Sequence, residues 1–100
     1  MPKLFEYLGI LVLFHSNEHE PVHVHGRYQD MESKAEIIIR DGEVVEVRIA
    51  QTKGKPMKGT QLKDFETLVN HYADDIVKAW VDYFVLHKQI TFQKITRRIK

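Results

Sequence analysis

The chain has 100 residues, no cysteine, 43% hydrophobic and 29% charged residues, and a formal charge of +1. That length sustains a single modest core, and the composition excludes a disulfide framework, a thiolate metal site, a disordered chain and a membrane span. The N-terminus has no basic, apolar, small-residue signal pattern, so a cytoplasmic location is expected. Charge is uneven along the chain. Residues 1–50 carry five Lys/Arg against nine Asp/Glu, and residues 51–100 carry ten against five. The excess of cations sits in Lys53, Lys55 and Lys58 and in an acid-free C-terminal segment with Lys88, Lys94, Arg97, Arg98 and Lys100.

Leu4 to Phe14 is almost continuously apolar, broken only by Glu6 and Gly9, and predicts two short strands joined near Leu8-Gly9. A histidine-rich segment comes next, with a strand through about Tyr28 and a polar break over Gln29 to Ser33. Ala35, Ile37 and Ile39 then alternate with polar or outer positions, and Val45, Val47 and Ile49 do the same after Asp41-Gly42. For both apolar sets to share a face, the connection needs an odd number of residues. A three-residue loop Arg40-Asp41-Gly42 with left-handed Gly42 is therefore expected, and not a two-residue turn pairing Arg40 with Glu43.

Gln51 to Gln61 reads as a loop, with Thr60 positioned to cap a helix. Leu62, Phe65, Val69, Tyr72, Ile76, Trp80 and Tyr83 recur at three- and four-residue steps, which predicts one long amphipathic helix covering a sheet. Trp80, Tyr83 and Phe84 fall on that stripe and so belong to the core. Ile90 to Lys100 is compatible with a strand or a basic helix. The expected fold is α+β: a small antiparallel sheet of four or five strands with one long C-terminal helix across one face, residues 1–87 forming the domain and 88–100 a basic tail.

The chemistry concentrates in Ser16-Asn17-Glu18-His19-Glu20-Pro21-Val22-His23-Val24-His25. On an extended strand His23 and His25 share one face while Val22 and Val24 take the other, and Pro21 favours an extended approach that carries His19 toward the pair. Together with the Asp41-Gly42-Glu43 hairpin and the Ala79-Trp80-Val81-Asp82-Tyr83-Phe84 helix end, this segment resembles the short bacterial proteins of the DUF4160 family. The resemblance covers about residues 1–85, and Glu18, His19, Pro21, His23 and His25 fall on the family pattern. Val22 stands where a second proline is common, and the segment after Leu86 looks like an addition. Members are often encoded beside another small protein, in an arrangement similar to toxin–antitoxin pairs. The resemblance thus implies a small protein partner.

Three functions are compatible with these residues. In the leading one the protein binds or cleaves RNA. His19, His23 and His25 act as acid, base or phosphate-binding groups, and Arg27, Lys53, Lys55 and Lys58 hold phosphate. In the second, the protein is a non-catalytic interaction module with structural, hydrogen-bonded histidines, docking through a sheet edge or the tail. In the third, His19, His23 and His25 bind zinc or another transition metal. The leading function needs no cofactor. His71 with Asp75 one turn later reads as a surface helix pair, and His15 and His87 have no interpretable surroundings in the sequence.

Overall fold

The computed structural model describes residues 2–15, 21–50 and 52–99. Strands β1 (Lys3–Tyr7), β2 (Ile10–Leu13), β3 (His23–Tyr28), β4 (Met31–Arg40) and β5 (Glu43–Ala50) are followed by helices α1 (Gly59–His71) and α2 (Ala73–Trp80), a π-helical turn Val81–Val85 and strand β6 (Gln93–Ile95). The sheet order is β5-β4-β3-β2-β1-β6. Every neighbouring pair is antiparallel except β1 and β6, which run parallel.

The architecture corrects the expectation of four or five antiparallel strands under one long helix. The sheet is six-stranded and mixed because the chain, after crossing one face as helix, returns to the outer edge of β1 in the same direction as β1. Ile95 lies beside Tyr7, Lys94 reaches Glu6 at 3.4 Å, and Ile90, Ile95 and Ile99 pack against the core. The helical stripe is real, but two helices carry it. Tyr72, at φ −108° and ψ 21°, leaves the helical region between them. Its ring rests 4.9 Å from that of Phe5. Asp74 and Asp75 occupy the first turn of α2, where acids complement the helix dipole. Thr60 lies inside the first turn of α1, and Lys58 takes the capping position without a side-chain cap.

Side chains alternate across β3 as the sequence predicts. Val24 and Gly26 face the helices, and Phe65 of α1 sits so close above Gly26 that an added Cβ would meet its ring carbons at 2.5 and 2.6 Å. Phe65, Leu68, Val69 and Ile76 are fully buried with Ile10, Val12, Val24 and Ala35. Trp80 closes one end of this layer, 5.5 Å from Phe14, with Phe84 packed on both. His23, His25 and Arg27 take the opposite face.

The β4–β5 connection overturns the loop expectation. Arg40 does pair with Glu43 around a two-residue Asp41-Gly42 turn, with both residues at positive φ (54° and 80°). The parity argument still holds, but the odd residue is absorbed farther along. Ile39 pairs with Val44 and Ile38 with Glu46, so Val45 bulges out and is 52% exposed. The residues turned toward the core are Val44, Val47 and Ile49.

Candidate functional site

The β3–β4 hairpin turns at Gln29-Asp30 alone, shorter than the polar break in the sequence suggests, so Tyr28 pairs with Met31 and Arg27 with Glu32. Glu32 is thereby placed on the far face of the sheet, beside Arg27 and diagonal to His25. On the other side β2 pairs Leu13 with His25, and continuing two residues brings His15 to the same face. The imidazoles of His15 and His25 stack, with centroids 3.6 Å apart and planes 6° from parallel.

Glu32 is the centre of the arrangement. Its Oε1 accepts from Arg27 Nε (3.3 Å) and Nη2 (3.1 Å). Its Oε2 lies 3.3 Å from His25 Nδ1 and 3.7 Å from His15 Nε2. One carboxylate therefore faces a guanidinium and two imidazoles. His25 and His23 are buried, whereas the His15 side chain is 39% exposed and presents the ring that solvent reaches. His23 has a defined tautomer. Its Nδ1 lies 2.7 Å from the Pro21 carbonyl oxygen, which only accepts, so Nδ1 carries the proton and the lone pair of the neutral ring is on Nε2. The His23 ring also meets those of His25 (5.3 Å) and Trp80 (5.4 Å).

The loop after β5 is pinned to the start of β4. Glu32 N–H donates to the Lys55 carbonyl (2.9 Å), Thr52 Oγ1 donates to the Glu32 carbonyl (3.3 Å), and Met57 N–H donates to Ser33 Oγ (3.0 Å). These bonds hold a cleft of about 330 Å³ lined by Arg27, Gln29, Asp30, Glu32, Lys53 and Lys55 among others. Lys55 Nζ stands 3.6 Å from Asp30.

The histidine strand, Arg27 and two of the three loop lysines therefore converge through Glu32. Lys58, at the start of α1, is not among the cleft-lining residues. His19 lies outside the described residues. Glu32 and His15 escape a reading by sequence motif because their contacts with His25 are made across strands and not along the chain. The signal that finds them is register: a two-residue turn after Tyr28 sets Glu32 opposite Arg27, and the β2–β3 pairing brings His15 round to His25.

A family model described as a domain of unknown function, DUF4160, matches residues 9–81. The chain belongs to the DUF4160 family. The match spans the whole site, from His15 to Lys55. No curated protein and no solved structure matches the chain. Among the described residues, no helix is long and apolar enough to cross a membrane.

The donor atoms of His15, His25 and Glu32 all lie within 4.8 Å of one another, and this is the set in which a metal would be sought. A ligating imidazole must hold the ion in its own ring plane, along the nitrogen lone pair. Two nearly parallel rings stacked at 3.6 Å have no such point in common, so binding an ion between them requires one ring to turn. His15, the more exposed of the two, is the ring with room to do so.

Proposed function

We propose that this DUF4160 protein is one component of a toxin–antitoxin-like pair and that it binds or cleaves RNA on the far face of its sheet. The observation that carries this reading is the position of Glu32, whose carboxylate joins two stacked imidazoles to a cleft with three cationic side chains. RNA strand cleavage by transesterification needs a base for the 2′-hydroxyl proton, an acid for the departing 5′-oxygen and cations for the phosphate. Histidine serves either proton role near neutrality. In this reading His25 and His15 move protons, and the Glu32 carboxylate compensates a proton on either ring. Lys53 and Lys55, supported by Arg27, hold the phosphate. His23, fixed by its bond to Pro21, keeps the strand end in place, and His19 remains part of the proposed set.

The test is direct. A short single-stranded RNA is incubated with the purified protein, and binding and strand cleavage are measured for the natural chain, for His25→Gln and for Lys53→Ala/Lys55→Ala. Loss of cleavage with retained binding is expected for His25→Gln, and weaker, less salt-sensitive binding for the lysine pair. A chain that neither binds nor cuts RNA, or variants that behave as the natural one, defeats the reading.

Burial of His23 and His25, with the His23–Pro21 hydrogen bond, favours a second reading in which the histidines are structural and the protein is a module docking a small protein encoded nearby. It predicts that His25→Gln loses stability and leaves partner capture at low temperature intact.

A further inference from the structure

We infer that β5 is a self-association edge, pairing antiparallel with β5 of a second copy of the chain about a twofold axis through Val47. Its eight residues end the sheet, and no described element pairs with their outer side. Glu43, Val45, Glu46 and Arg48 are all exposed or partly exposed there.

Backbone geometry limits how two such edges meet. Arg40 and Glu43 flank a two-residue turn, so they form a close hydrogen-bonded pair, and such pairs alternate along the ladder. Beyond the bulge the inward-bonding residues are Glu46, Arg48 and Ala50. The N–H and C=O groups of Val47 and Ile49 therefore point away from β4. An antiparallel partner must bring outward-pointing residues opposite one another, and with Val47 and Ile49 pointing outward the symmetric registers are those centred on Val47, Arg48 or Ile49. Centring on Arg48 sets Arg48 against Arg48, an unfavourable like-charge pair, and centring on Ile49 sets Arg48 opposite Ala50, which joins no opposite charges. Centring on Val47 sets each Glu46 opposite the other copy's Arg48, twice by symmetry.

Within one chain Glu46 and Arg48 already meet at 3.2 Å on the exposed face, so the four charges form a closed, alternating cluster across the axis. The bulge at Val45 ends the regular ladder on that side, and the twofold pairing, which uses the β5 edge of both copies, closes the assembly at two chains. The occupant is a second copy because the opposite charges of the edge face one another when it pairs with itself about Val47.

The experiment is sedimentation equilibrium of the natural chain at concentrations up to about 1 mM, repeated with Glu46→Arg, Arg48→Glu and the exchanged pair Glu46→Arg/Arg48→Glu. Thermal melts confirm that each is folded. A reversible monomer–dimer equilibrium is expected, weakened at least tenfold by either single reversal and restored by the exchange. A natural chain that stays monomeric overturns the inference, as does a dimer indifferent to the single reversals or one the exchange fails to restore. If all variants fold poorly, cross-linking of Val47→Cys decides in their place: a disulfide joining the two copies at that position is expected, and its failure to form under oxidation counts against the register.

Discussion

Consecutive residues of β3 live in two different environments. Gly26 faces the helices, where Phe65 leaves no room for a Cβ, while His25 faces the far side, where a carboxylate and a second imidazole surround its ring. The helix-covered face is specified by volume. Its buried polar groups among the described residues are Ser33, which accepts the Met57 N–H, and Asp64 of α1, which accepts from Arg98. The far face is specified by pairing of charges along and across strands: Glu6 with Lys94, Arg27 with Glu32, Lys34 with Glu36. A face built on shape fails when atoms are added or removed. One built on charge keeps its fold and loses its chemistry.

The contrast is most severely tested at Gly26. Gly26→Ala drives a methyl into a fully buried ring, and an unfolding free energy lower by about 3 kcal/mol is expected from overpacking. Denaturant titration measures it, and adding Phe65→Leu should return part of the loss through non-additivity. His25→Ala, one residue away, should cost less, about 1–2 kcal/mol from lost ring packing. Should it prove as damaging as Gly26→Ala, the two faces do not differ in this way. Gly42→Ala gives the smallest effect, about 1 kcal/mol, because only the left-handed backbone opposes it. Its φ is +80°, and an added Cβ would touch nothing within 4 Å. Comparing the two glycines separates a steric cost from a conformational one.

The same division explains what the sequence disclosed. Period-two alternation placed His23 and His25 together and Val24 in the core, because a strand's parity is a local property. Strand ends and pairings were harder. The Asp41-Gly42 turn and the bulge at Val45 satisfy the same parity as a three-residue loop, so composition alone did not choose between them. Tyr72 lies on the apolar stripe and contacts Phe5, and only its backbone angles divide the helix. β6 has weak strand character of its own and is defined by the β1 edge it joins. Glu32 became visible only once a polar stretch resolved into a two-residue turn, and His15 only once β2 and β3 were in register. The cluster around Glu32 is thus made by non-local pairing, which no spacing motif encodes.

The parallel β1–β6 pairing also sets an order of events in synthesis. β1 emerges from the ribosome well before its outer neighbour β6, and the Ile99 N–H that donates to the Tyr7 hydroxyl lies 92 residues away. Until residues 93–99 exist, one side of the nascent sheet is an unpaired ladder of backbone groups, and closing it carries the entropy of a loop spanning nearly the whole chain. The step that shields β1 from wrong partners therefore waits until the other described strands and both helices have been made. The interval before it is when the protein is most exposed to aggregation or to capture by another strand.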